Sequence, residues 1–220
     1  MQGLFQYDGG FAKVLGKIAD IACLSLLWLL SSIPIITMGA SFCALYNTVY
    51  KVIRFDRAGL WQEYWNSFRQ NFKQATIAWL CLLAIYLLAG LSSLNAYALF
   101  ELGELPAWML ILLGIAVALV TMWACFLFPC ISRFHNTLGN IAKNCGIVVL
   151  ANIIPSVLLV VLLILAVILI LCVPAGLIFA PVCCTCLSSL MIEKVFRKYM
   201  SEEDIHNEEA ENRGFAGKPE

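Results

Sequence analysis

The uncharged run from 146 to 192 constrains this chain more than any other feature, because it holds no Asp, Glu, Lys, Arg or His. As one helix, residues 147–192 would reach about 69 Å, more than twice a hydrocarbon core of about 30 Å. The run must therefore fold back on itself. Pro174 and Gly176 near its middle supply the break, since proline cannot continue a helix and glycine accepts left-handed geometry.

Three further uncharged stretches, 21–50, 75–100 and 107–131, have single-span lengths. Hydrophobic residues make up 62% of the chain and charged ones 13%. Confining those charges to the gaps between apolar runs is what a bilayer demands. Lipid-facing backbone must satisfy its own polar groups, and barrel strands would need short alternating segments. The expected fold is therefore all-α, a polytopic transmembrane helical bundle of about five spans. These lie near 21–46, 75–99, 107–130, 147–172 and 175–194, in a single domain over 1–200, with a disordered polar cytoplasmic tail over 201–220. The first run outlasts a secretory h-region and no A-x-A-like site follows it, so it is expected to remain in the mature protein.

Lysine and arginine set the orientation. Lys51, Arg54, Arg57, Arg69 and Lys73 follow the first apolar run, whereas 101–106 carries two glutamates and no base, so the first connection is expected inside. Alternation then puts Arg133, Lys143, Lys194, Arg197 and Lys198 inside with the C-terminus, as expected of a multi-pass cell-membrane protein. Five spans leave Lys13 and Lys17 outside, against the same rule. The favoured reading is one kinked first span; the alternative is a broken or re-entrant pair around Pro34 and Gly39 that returns the N-terminus to the inner side.

Two connections have amphipathic periodicity. Trp61, Trp65, Phe68 and Phe72 recur at offsets of 0, 4, 7 and 11, one face of a short cytoplasmic helix expected to anchor in the inner interface on anionic headgroups. Phe134, Leu138, Ile141 and Cys145 repeat that spacing. On the other side, Arg133, Asn136, Asn140 and Asn144 form a polar stripe rich in donors, a candidate docking face for a partner.

All ten cysteines lie in or beside apolar runs, where free thiols are expected. Cys183, Cys184 and Cys186 lack the spacing of a structural zinc site, so no metal is expected. No nucleotide loop or catalytic triad can be assembled from two histidines and apolar runs without an acid, which points away from catalysis and from a bound cofactor. No nucleic-acid partner is expected, and the oligomeric state stays open.

The string LLWLLSSIPIITMGASFCALYNTVYKVIR, with Pro34, Thr37, Gly39, Ala40, Ala44, Leu45 and Tyr46, resembles the YesL family of bacterial membrane proteins. FRQNFKQA and FPCISRFHNTLGNIAKN extend the resemblance over roughly residues 1–200, with His135 standing where an acid would be expected. The resemblance implies a membrane protein encoded beside ATP-driven carbohydrate importers, with no established activity. The expectation is a non-enzymatic accessory protein whose partners are the lipid bilayer and a membrane carbohydrate importer. A small transporter or channel for an uncharged solute is the alternative, motivated by the break from Pro34 to Gly39. Gly39, Ala40 and Ala44, like Gly114 and Ala118, are also small residues at helical spacing, suited to close helix packing in lipid.

Overall fold

The structure, a computed structural model, describes residues 8–54, 59–104, 106–134, 136–200 and 202. Arg57, His135 and, apart from Glu202, the tail from 201 to 220 lie outside the described residues. No strand occurs among the described residues, and the chain is an all-α bundle. Its helices are α1 (Asp8–Ser32), α2 (Met38–Thr48), α3 (Leu60–Glu101), α4 (Ala107–Arg133), α5 (Leu138–Ala151), α6 (Ile153–Cys172) and α7 (Ala180–Arg197). Three of them, α3, α4 and α6, are long and apolar enough to cross a membrane.

The first apolar run corrects the favoured reading of one kinked span. Helix α1 ends at Ser32, a short 3-10 turn covers Ile35–Thr37, and α2 runs back along α1 before a π-helical turn at Val49–Arg54. Trp28 and Phe42 lie 14 residues apart in the chain, yet their ring centroids are 5.5 Å apart. Leu24 joins Ala44, Leu45 and Val49 in one buried cluster. A continuous helix would separate Trp28 from Phe42 by about 21 Å. The physical reason is Pro34, which has no N–H for the helix ladder. The carbonyls freed around it find local donors: Thr37 Oγ1 donates to the Ser31 and Pro34 oxygens at 2.7 and 2.8 Å, and Trp79 Nε1 to the Ile35 oxygen at 2.7 Å.

Helix α3 is a second departure from expectation. The aromatic segment at 61–72 is not a separate interfacial helix; it is the first third of one 42-residue helix. At ~1.5 Å per residue α3 extends about 63 Å, roughly twice the hydrocarbon core. Nothing between Gln70 and Ala75 can stop it, because those residues contain neither Gly nor Pro. The hairpin of α1 and α2 reaches only its middle. Gly39 meets Ala75 and Trp79, while Asn47 and Lys51 reach Glu63 near its start.

The residues after α4 divide differently from a single span over 147–172. Helix α5 continues to Ala151, Asn152 leaves helical geometry at φ −130°, ψ 60°, and α6 begins at Ile153. Pro155 in the first turn of α6 makes this a natural boundary, since a proline is tolerated there and disfavours helix in the residue before it. Asn152 closes the joint by donating from Nδ2 to the Val148 carbonyl and to Tyr199 Oη, both at 2.9 Å. The chain then reverses through a 3-10 turn at Pro174–Ile178 into α7. The Cys184 thiol points back to the Leu162 carbonyl, which sets α7 beside α6.

Packing is concentrated in one half of the molecule. The larger core cluster draws Ala40, Cys43 and Tyr46 from α2, Ala75, Ala78 and Leu82 from α3, 126–128 and 130–131 from α4, and Ile192, Val195 and Phe196 from α7. Beyond Leu82, α3 has no buried residue, and α4 has none before Phe126.

Candidate functional site

Helix α2 is the axis of the packed half. From Gly39 to Tyr50 every residue except Phe42 is buried, and five of the first seven, Gly39, Ala40, Ser41, Cys43 and Ala44, are small residues that keep the helix thin. Gly39 shows why this matters: a Cβ there would stand 2.4 Å from the Ala75 carbonyl oxygen and 2.6 Å from Trp79 Cβ. Ala40 and Ala44 are fully buried and Tyr46 is 3% exposed. Thus Pro34 and Thr37 shape the turn, while Gly39, Ala40, Ala44 and Tyr46 form the contact surface that follows it.

At the end of α2 lies a group that sequence reasoning missed. Glu193, one residue past the uncharged run and 2% exposed, is buried in α7. Tyr46 Oη donates to Glu193 Oε1 at 2.8 Å, and Arg133 Nη2 donates to Oε2 at 3.0 Å. The Arg133 guanidinium also lies over the Tyr50 ring, 4.2 Å from its centroid. One carboxylate therefore joins α2, α4 and α7 through charge-assisted bonds, and a cation–π contact adds the π-helical turn. The expectation of a bundle built from runs without an acid is corrected here. A signal was present: Tyr46, Arg133 and Glu193 each end or flank an apolar run, where a polar tip can reach inward.

Arg133 accordingly leaves the proposed stripe. It closes α4, whereas Asn136 sits in the connection and Asn140 and Asn144 lie on α5, so the spacing of 0, 3, 7 and 11 spans a helix break rather than one helix. The helix breaks because Phe134 turns extended, at φ −114°, ψ 121°. The three amides remain exposed together, with Asn140 Nδ2 donating to Asn136 Oδ1 at 3.2 Å. Part of the apolar side of the same segment turns inward: Ile141 and Cys145 are buried, whereas Phe134 stays 38% exposed while meeting Phe196 edge-on at 5.2 Å.

The aromatic stripe on α3 is also outward-facing. Trp61 is 60% exposed, Trp65 and Phe72 are exposed to lesser degrees, and Phe68 is half-buried between Tyr64, Trp65 and Phe72. What α3 buries instead is Tyr64, Ser67, Asn71, Ala75, Ala78 and Leu82, a smaller and more polar face at the same period. In lipid, apolar bulk gives no preference for the protein interior, and small residues that permit close approach take the packed face.

Two clefts have walls of described residues. One, about 220 Å³, lies between α1 and α3 at Leu27, Leu30, Trp61 and Trp65, with Ser31 and Tyr64 hydrogen-bonded at its floor. The other, about 680 Å³, is an open groove between the outer halves of α3 and α4, where Gly90 and Gly114 face empty space. Both are apolar. Among the described residues no group of three or more His, Cys, Asp or Glu comes together to hold a metal.

No curated protein and no solved structure matches the chain. Residues 21–92, which run from within α1 through α2 and most of α3, and so contain the hairpin and the face that receives it, match the family model described as Protein of unknown function, DUF624.

Proposed function

We propose that this chain is a non-enzymatic membrane accessory protein that assembles with a membrane carbohydrate importer through its cytoplasmic end. The observation that supports this most is the closed core. Helix α2 is packed between α1, α3, α4 and α7, and the carbonyls at the Pro34 break are taken by Thr37 and Trp79 rather than left for a solute. An uncharged solute crossing the bundle would need a polar path, whereas the clefts are apolar and peripheral. The importer is named from the resemblance to the YesL family alone; the exposed amides of Asn136, Asn140 and Asn144 are the surface assigned to it.

Purified protein reconstituted in vesicles is expected to give no uptake of a labelled neutral sugar above protein-free vesicles. Asn136→Ala with Asn140→Ala is expected to change stability by no more than about 0.5 kcal/mol, as exposed substitutions usually do, while abolishing co-purification of the importer. Uptake by the protein alone would sink the accessory reading, and unchanged recovery of the importer would remove the amide face from it.

The proposed topology is a re-entrant hairpin of α1 and α2 on the cytoplasmic side, followed by crossings at α3, α4, α6 and α7, with both termini inside. It returns Lys13 and Lys17 to the inner face, in keeping with the positive-inside bias. An epitope tag at the N-terminus should stay hidden from antibody in intact cells, while one inserted at Gly103 should be reached. Outside access to the N-terminal tag would restore the single kinked span.

A further inference from the structure

Beyond Leu82, α3 touches α4 along one side and is bare on the other. Gly90, Ser93, Leu94 and Tyr97 line the groove against α4, while Leu88 and Leu91 are exposed on the surface turned away from it. By the 3.6-residue period, Asn95 lies about 150° around the helix from the centre of the groove face. It is exposed within that leucine surface, in the uncharged run 75–100 and six residues before Glu101.

Its Nδ2 donates one hydrogen to the Leu91 carbonyl at 3.0 Å, a back-bond within its own helix. The second amide hydrogen and the Oδ1 acceptor have no partner among the described residues. In the proposed topology, on which this inference rests, α3 crosses the membrane and leaves these atoms in hydrocarbon, where an unpaired polar group is costly and calls for a partner.

The amide itself indicates which partner. It carries a donor and an acceptor in fixed geometry, so it is complementary to a second copy of itself across a two-fold axis. Two copies inserted in the same direction meet with parallel helices about an axis along the membrane normal. Ser92 and Ala98, one turn to either side on the same exposed surface, are small enough to let the two backbones approach. We propose that the outer halves of α3 from two copies of this chain pair in the membrane, with Asn95 of each donating to Oδ1 of the other.

The test uses the full chain labelled with a donor or an acceptor fluorophore and reconstituted in phosphatidylcholine vesicles over a range of lipid-to-protein ratios. Energy transfer is expected to persist well below the density at which random collision accounts for it. Two reciprocal interhelical bonds imply that Asn95→Leu moves the half-dimer point to about tenfold higher protein density. Asn95→Gln, which keeps the amide, should hold it within about twofold on the same grounds. Unchanged melting of Asn95→Leu in dilute micelles shows that each copy remains folded. Random-collision transfer for the unaltered chain would mean that the amide is solvated at the outer headgroups and would overturn the pairing. So would an Asn95→Leu curve that superimposes on that of the unaltered chain.

Discussion

Glu193→Ala should destabilise the fold by about 3–5 kcal/mol, the range seen when one member of a buried ion pair is removed. The cost comes less from the lost contacts than from what remains. Arg133, largely shielded from solvent, would lose the carboxylate it bonds in α7, and Tyr46 Oη would lose its acceptor inside the core. Thermal unfolding in detergent micelles should show this as a large fall in melting temperature. Replacing both Arg133 and Glu193 by Met should cost much less, because no orphaned charge is left and the apolar volume is kept. If Glu193→Ala melted like the unaltered chain, the carboxylate would not be the joint between α2, α4 and α7, and that part of the fold would have to be redrawn.

Gly39→Ala is expected to destabilise the fold for a steric reason. The added methyl would stand 2.4 Å from a backbone carbonyl of α3, and that oxygen cannot rotate away as a side chain can. Helix α2 must move outward, loosening Ala40 and Ala44 against α3 and lengthening the Trp79 bond to Ile35. Overpacking of this kind costs about 1–3 kcal/mol, and Gly39→Leu should prevent the hairpin from docking at all. Gly114→Ala is the matched comparison, since nothing lies within 4 Å of its would-be Cβ. There the substitution should be neutral or stabilising by about 0.5–1 kcal/mol through helix propensity. Equal melting temperatures for Gly39→Ala and the unaltered chain would show that α2 and α3 are not in close backbone contact.

These two sites show where legibility in the sequence ended. Gly39 was readable as a packing residue, because small residues at helical spacing suit close approach in lipid, but its partner at Ala75 and Trp79 was not, since nothing in the spacing says which helix arrives. Arg133 was readable as polar and near a span end, and was assigned to the exposed amide stripe by periodicity. Periodicity assumes an unbroken helix, and the extended geometry at Phe134 removes that assumption. Glu193 lies one residue outside the uncharged run, a boundary that marks where charge begins and not where burial stops.

The sequence by itself determined that the chain is helical, where its longest apolar helices lie, and that it reverses near Pro174. These follow from local quantities: uncharged length against the thickness of a bilayer, and the missing N–H of proline. It also limited the first apolar run to two readings, a kinked span or a returning pair. Only the tertiary structure decided between them, through Trp28 against Phe42, and only it decided which face of α3 is buried. The reason is common to both. In water, hydrophobicity tells a helix which side to hide, so a sequence pattern carries orientation. Among helices that are apolar all round, that signal vanishes, and the choice passes to shape and to a few polar contacts: the room left by Gly39, the donors that close the break at Pro34, and one carboxylate shared by three helices.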